Sequence, residues 1–398
     1  MKILQLDIEG FRSLKKVSWK PGDLNVIIGP NGTGKSNLLC FLELMSVSAQ
    51  GRLGKYIQSL GGMLSIVWDG QVDTISFQTK ILLTNANHHP LKDALTYFLE
   101  FVKLGGGGFY RVQRELLANF NQVENGENLE PLKTFERSQA NSKVYDEIGN
   151  AIFTPEGLLK DEETLLSMFS TPFAKNLRAA LVQQSLVAWR IYHDLQVHQN
   201  TVLRQAAVAR FEKWLEPDGQ NLIPVLHTLY YSNRDFKREI DSAMHAAFGD
   251  DFDELVFPPA ADQRIQLRVR WKSLKREQSA ADLSDGTLRF LLLLTILASP
   301  SPPPLIAIDE PETGLHPSML PIIAEYAVDA ATRTQVIFTT HSPQFLDAFT
   351  DTKPSTTVAK WENGETTLKV LAGEQLDYWL KEYSLGALFK SGELEGME

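Results

Sequence analysis

LNVIIGPNGTGKSN, residues 24–37, decides how this chain is read. Leu24–Gly29 is a short apolar run that reads as a buried strand. Gly29–Ser36 is a polar, glycine-rich loop, and Asn37–Val47 continues with helical spacing. The loop matches G-x-x-x-x-G-K-[ST] and lies between a strand and a helix, the context such a motif needs. Its glycines leave backbone N–H groups free to wrap phosphate oxygens, so Gly29, Asn31, Gly32, Thr33, Gly34 and Asn37 are assigned to the phosphate cradle. Lys35 is placed on the terminal phosphates and Ser36 on a magnesium ion. The competing reading, a glycine-rich turn with a solvated lysine, leaves the strand before it and the helix after it unexplained.

Two later stretches supply acid and base. LIAIDEPETGLHP, residues 305–317, is an apolar strand ending in Asp309 and Glu310. Desolvated carboxylates are costly without a cation. Asp309 is therefore read as a metal residue and Glu310 as the base that polarises an attacking water. VIFTTHSP, residues 336–343, is a third strand ending in His341. Its imidazole is assigned to the γ-phosphate, against the plainer reading of a satisfied polar side chain.

LSDGTLRF, residues 283–290, is a polar turn running into an apolar helix. A turn of this kind is a seat for anions. Ser284 and Gly286 cannot easily reach the phosphates from the side that Lys35 uses. Two chains packed head to tail would let the turn of one cap the γ-phosphate held by the other. The alternative is an ordinary helix N-cap at Ser284.

Taken in order, these motifs resemble the ABC-type ATPase superfamily in its RecF/SMC/OLD branch. The resemblance is nearest to stand-alone bacterial AAA family ATPases related to RecF. IEGFRSLKKV (8–17), LEPDGQNLIPVL (215–226) and YSLGALFKSGELEG (383–396) are also similar to that group. The resemblance covers both ends of the chain well and the helical middle weakly. It implies an ATPase head that binds ATP and Mg²⁺, in which Lys35 and Ser36 contact phosphate and metal, Asp309 holds the metal, Glu310 is catalytic and His341 is the switch. Ser284 and Gly286 become the signature acting across a homodimer with two ATP sites, and Thr313, Gly314 and Leu315 touch the partner. Arg12 and Ser13 are brought to the nucleotide base. Gln78 is taken as the Q-loop glutamine, with an exposed strand residue as the other reading. Gly286 is followed by Thr287 where many signatures have Gln or Glu. The middle is too short for an SMC coiled coil, and no acid cluster follows His341 as an OLD-type nuclease would require.

The expected fold is therefore α/β: an ABC-type (RecF/SMC-like) P-loop ATPase head with mixed parallel and antiparallel sheets and a helical insertion. The expected segments are 1–155, a lobe with P-loop and antiparallel sheet; 156–262, a helical insertion or lid; and 263–398, a lobe with signature, acidic strand and His341. LSIVWDG (64–70) and QVDTISFQTKILL (71–83) read as two alternating strands joined at Asp69-Gly70, and GFYRVQRELLA (108–118) as another strand. DEETLLSMF (161–169) and FAKNLRAALVQQSLVAWRIYHDL (173–195) carry helical periodicity. TTVAKWENGETTLKVL (356–371) reads as a hairpin.

The chain has 398 residues, 43% hydrophobic and 22% charged, with a net charge of −10. That balance argues against a surface coated with cations for nucleic acid. FLLLLTILA (290–298) is too short to span a bilayer, and the N-terminus lacks an apolar signal core. Cys40 is the single cysteine, so no intrachain disulfide is possible. A cytoplasmic location with no membrane partner is expected. Arg264, Arg268, Arg270 and Lys272 alternate along a strand and form either a phosphate-tracking stripe or a solvated face, the latter preferred. GDDFDE (249–254) lacks EF-hand spacing and reads as a solvated loop.

The expected role is the ATPase subunit of a bacterial DNA repair or anti-phage defence system, acting with a separate effector and in some settings with DNA or other nucleic acid. The alternatives are a self-sufficient RecF-like DNA-binding recombination mediator and, disfavoured, the ATP-binding subunit of a transporter.

Overall fold

The computed structural model describes the whole chain except residues 85–89, 121–122, 125–126, 129–130, 140, 147–148, 154–156, 158, 170–175, 350–351, 372–382 and 397–398. The expected boundary at 155/156 lies outside the described residues. The chain forms two compact units. One comprises Met1–Asp23, Ile27–Trp189 and Ser355–Leu371; the other comprises Leu24–Val26, Arg190–Pro354 and Ala372–Glu398.

In the first unit the strands are β1 (Lys2–Phe11), β2 (Leu14–Trp19), β4 (Thr74–Thr84), β5 (Pro90–Lys103), β6 (Tyr110–Asn119), β7 (Leu132–Ser138), β8 (Asn141–Tyr145) and β9 (Ala151–Phe153). They form one eight-stranded antiparallel sheet in the order β9-β8-β7-β6-β5-β4-β1-β2. β3 (Leu24–Ile28) precedes α1 (Lys35–Ser48), which belongs to this unit. Alternate residues of each strand point to one face. The inward set includes Phe11, Phe77, Tyr97 and Phe135, all fully buried. Phe41 of α1 meets Phe11 and Phe77 edge-on, with ring centroids 5.2 and 5.3 Å apart. Phe77 meets Tyr97 at 5.6 Å and Tyr97 meets Phe135 at 6.5 Å. This line of edge-to-face rings fixes α1 on the sheet, and each such pair adds about 0.5–1.5 kcal/mol beyond its buried area.

One expected strand is a helix. LSIVWDG was read by alternation, but Met63–Ile66 is helical and Trp68–Gly70 is a 3-10 turn. Gly61 and Gly62 have φ of 93° and 86°, which turns the chain out of strand geometry. Met63 and Ile66 are buried while Leu64 is half exposed, a helical spacing. The second expected strand is β4.

In the second unit β10 (Arg190–Tyr192), β11 (Leu305–Asp309) and β12 (Gln335–Thr340) run parallel, with Tyr192 beside Ile308 and Ile308 beside Phe338. Leu24–Val26 belongs to this unit, where Asn25 Nδ2 donates to Val336 O at 3.1 Å. These strands are buried on both faces, so they read as unbroken apolar runs. Trp189-Arg190-Ile191-Tyr192 continues the periodicity of α2 (Leu177–Val187) in the sequence, yet α2 ends at Val187. The branched and aromatic residues that follow form β10, because pairing with β11 outweighs local helical preference. Residues 161–169 contain only a 3-10 turn, Leu166–Phe169, in place of the expected helix.

The remaining helices used below are α3 (Leu222–Ser232), α4 (Arg234–Phe248), α5 (Asp285–Leu297) and α6 (Leu320–Ala331). α5 is buried on nearly every side. The expected arginine stripe does not run along one strand: Arg264 lies in a separate short strand (Arg264–Ile265) and Lys272 in a turn. Arg268 and Arg270 share the strand Arg268–Trp271, where Arg270 pairs with Glu254 and with Glu277 at 2.8 Å and Arg268 lies 4.0 Å from Glu277. Among the described residues no helix is long and apolar enough to cross a membrane. The hairpin of β13 (Ser355–Glu362) and β14 (Glu365–Val370) returns to the first unit and turns at Asn363-Gly364, both with positive φ.

Glu115 on β6 is wholly buried beneath the first sheet. Its carboxylate accepts from Tyr97 Oη at 3.0 Å, Leu165 N at 2.6 Å and Leu166 N at 2.9 Å. Burial nevertheless pushes the carboxyl up to about 7. Below about 4.5 the folded and unfolded chains both hold this proton, and between 4.5 and 7 only the folded chain retains it. The residue is therefore least costly at low pH, and its cost grows through that window. The Tm difference between wild type and Glu115→Gln should move in favour of glutamine as pH rises from 4.5 to 7. The free-energy change is at most about 3 kcal/mol. A flat difference measured by thermal melts across the window would contradict this.

Candidate functional site

The glycine loop expected to cradle phosphate is built in the first unit. Gly29, Gly32 and Gly34 all have positive φ, of 150°, 84° and 91°. Gly34 is closed from behind, because a Cβ there would meet Thr366 Oγ1 at 2.1 Å and Ser13 Oγ at 2.5 Å. Gly29 is closed in the same way by Ala359 O, at 2.3 Å from such a Cβ. Gly32 has nothing within 4 Å of its own Cβ position and faces open space. A short network pins the far side of the loop. Thr366 Oγ1 of β14 donates to Thr33 O at 2.9 Å and accepts from the Ser13 hydroxyl at 2.7 Å, and Asn37 Nδ2 donates to Ser13 Oγ at 2.8 Å.

Lys35 and Ser36 open α1, and in its first turn Asn37 N–H donates to Gly34 O at 3.0 Å. Lys35 is buried and folds back over the loop, with Nζ donating to Gly29 O at 2.7 Å and Pro30 O at 3.0 Å. Ser36 is exposed at the first turn. An open glycine face, a helix start and a lysine lying along the loop together fit a polyphosphate. An exposed hydroxyl beside them fits a hard cation held mostly by phosphate and water. Arg12 has φ 45° and lies next to the cradle, with Nη1 donating to Asn37 Oδ1 at 3.4 Å.

Asp309, Glu310 and His341, the residues expected to supply metal binding and acid–base chemistry, lie in the second unit. Asp309 is the last residue of β11, and its carboxylate accepts from Thr339 Oγ1 on β12. Glu310 follows with φ 46°, a left-handed conformation that is sparsely populated for glutamate. Its backbone is held at both ends: its N–H donates to Thr339 O at 3.1 Å, and its carbonyl accepts from Arg289 Nη2 of α5 at 3.0 Å. The side chain turns to His341, with Nδ1 2.9 Å from Glu310 Oε1. Both side chains are partly exposed, so a reacting group could reach them. Glu312 accepts from Thr340 Oγ1, and burial raises its pKa. Glu312 Oε2 and Arg289 Nε are buried without a hydrogen-bond partner among the described residues. Two orphaned polar atoms close to the end of β11 mark a strained, polarised corner of the kind that functional sites carry.

The signature turn lies in the same unit. Ser284 caps α5, accepting from Thr287 N at 3.1 Å and sharing a hydrogen with Thr287 Oγ1 at 2.8 Å. The N-cap reading of Ser284 is thus geometrically real, and the anion-seat reading has to operate with this cap in place. Gly286 packs against the loop after β11, since a Cβ on it would meet Gly314 O at 2.9 Å. Gln78 lies mid-strand on β4, between Asp7 and Phe98. Its side chain lines a cleft of about 730 Å³ with Phe98, Arg114, Glu136 and Lys143. That is the sheet face opposite the one on which Phe77 meets α1.

Reading the sequence missed Arg289, Glu312, Thr339 and Thr366. Glu312 stands two residues after Glu310, and the even spacing of acids was a usable signal. Arg289, inside an otherwise apolar helix, was another, because a buried charge needs a partner.

The SMC head bound to the C-winged helix domain of ScpA is similar to this chain with a TM-score of 0.51 and 13% identity, over 95% of this chain and 100% of that one. The SMC head domain from Thermotoga maritima aligns at a TM-score of 0.45 and 13% identity, over 94% of this chain and 100% of that one. The first likeness gives the fold: an SMC-head-like α/β fold of the ABC type, as the motif order implied. No curated protein matches the chain. The family described as "AAA domain, putative AbiEii toxin, Type IV TA system" matches residues 24–347, from the strand before the glycine loop to just beyond His341. On that match the chain belongs to this AAA domain family.

Proposed function

We propose that this chain is a Mg²⁺-dependent ATPase working as a nucleotide-gated homodimer, the ATPase subunit of a bacterial repair or anti-phage defence system with a separate effector. The observation that carries the reading is the pairing of Glu310 with His341 at the end of a buried parallel strand, in a chain whose glycine loop also runs from a strand into α1.

In this reading Gly29–Ser36 wraps the phosphates of ATP with backbone amides, and Lys35 leaves its loop carbonyls for the terminal phosphates. Ser36 and Asp309 would hold the metal, which when bound neutralises phosphate charge. Glu310 orients the attacking water, and His341 reports the γ-phosphate by exchanging its glutamate contact for a phosphate contact. Ser284 and Gly286 of the second chain complete each site. A separate protein partner suits this reading, and the similar SMC head was solved bound to one.

Lys35→Ala should weaken ATP binding by roughly a hundredfold or more, measured by titration calorimetry. Retained tight binding would count against the cradle. Glu310→Gln should lower turnover by roughly 10²–10⁴-fold and hold an ATP-bound dimer on a sizing column. A monomer under saturating ATP would contradict the gated dimer. Chains carrying Ser284→Arg mixed with chains carrying Lys35→Ala should recover turnover that neither shows alone, because one composite site stays intact. Absence of recovery would remove the trans arrangement.

A further inference from the structure

The signature turn holds a residue that opposes its own task. Asp285 follows the capping Ser284 at the start of α5, and its side chain is 61% exposed. An acid suits a bare helix N-terminus. It does not suit one that must receive a triphosphate, because like charges at close range repel.

Arg204 answers that conflict. It comes from the short 3-10 turn Val202–Arg204, about eighty residues upstream, and its side chain is only 4% exposed. Its Nη2 pairs with Asp285 Oδ1. Its Nη1 donates to Leu283 O at 2.7 Å and Ala280 O at 3.0 Å, with Ala281 O at 3.4 Å. Its Nε donates to Val197 O at 2.8 Å. A buried guanidinium is tolerated only when its donors are matched, and here they are spent on the backbone leading into the turn and on the one acid within it. Residues 280–283 are not part of a helix or strand, so these carbonyls take from Arg204 much of what regular structure would have given them.

We propose that Arg204 is a positioning residue for the signature: it fixes residues 280–283 ahead of α5 and neutralises Asp285, so that the turn can accept an anion. The inference rests on the trans signature proposed above and adds a residue and a charge mechanism to it. Lysine cannot substitute, because a point charge cannot serve the carboxylate and several carbonyls in different directions at once.

Arg204→Gln should lower kcat by about tenfold or more while ATP affinity for the chain's own cradle changes less than about twofold, since the damage falls on the partner's site. Adding Asp285→Asn to Arg204→Gln should restore a large part of kcat by removing the uncompensated carboxylate. Arg204→Lys, which keeps charge but loses the fork, should fall between the two and serves if the glutamine variant folds poorly. A purely structural role predicts that kcat, ATP affinity and Tm fall together with no rescue by Asp285→Asn, and that result overturns the proposal. Mixing with Lys35→Ala chains separates the two levels. If Ser284→Arg chains recover turnover in the mixture and Arg204→Gln chains do not, Arg204 fails while the trans arrangement stands. If neither recovers, the trans arrangement falls and the role of Arg204 with it.

Discussion

Placing acids at the end of a strand that is buried on both faces is the constraint around which the second unit is organised. β11 is apolar through Ile308 and turns ionisable at Asp309, Glu310 and Glu312 within four residues. Charge in such surroundings persists only where donors reach it. The partners come from neighbouring elements: Thr339 and Thr340 from β12 and His341 just beyond it meet the carboxylates, while Arg289 from α5 holds the Glu310 backbone carbonyl. Each partner also limits movement. Glu310 is held in a left-handed backbone conformation by contacts at its own N–H and carbonyl, so its carboxylate is aimed by the fold and not by its rotamer alone.

The first unit solves a complementary problem. A loop that presents its amides to an anion must be crowded on one side and open on the other. Thr366, Ser13 and Ala359 O supply the crowding, while Gly32 keeps the open side clear. The aromatic line from Phe11 through Phe41 to Phe135 then ties the helix that begins with Lys35 to a broad sheet, giving the loop a rigid base.

Much of this could be read from residues in a row. The glycine loop, the apolar strand ending in acids and the strand ending in histidine are local patterns, and the structure puts each at the strand–helix or strand–loop junction its pattern required. What escaped depended on distant partners or on competing local signals. Arg289 was hidden among leucines, and Thr366 lies in a hairpin whose sequence says only that it is a hairpin. Residues 64–70 alternate in hydrophobicity but follow two glycines that redirect the chain, so backbone geometry overrode the pattern. Arg190–Tyr192 carries helical spacing and forms a strand because a buried parallel neighbour is available. Gln78 was chosen for its residue type within an alternating strand, and strand parity sets it on the face away from α1.

The hydroxyl of Thr366 grips Thr33 O across 333 positions of chain. A ribosome adding roughly 5–20 residues per second needs tens of seconds to cover that span. Throughout that interval the glycine loop already exists but has only Ser13, and not Thr366 or Ala359 O, behind it. A growing or prematurely terminated chain that stops short of Thr366 therefore carries a glycine loop without this contact, and the loop gains its full support only when the Ser355–Val370 hairpin has been made.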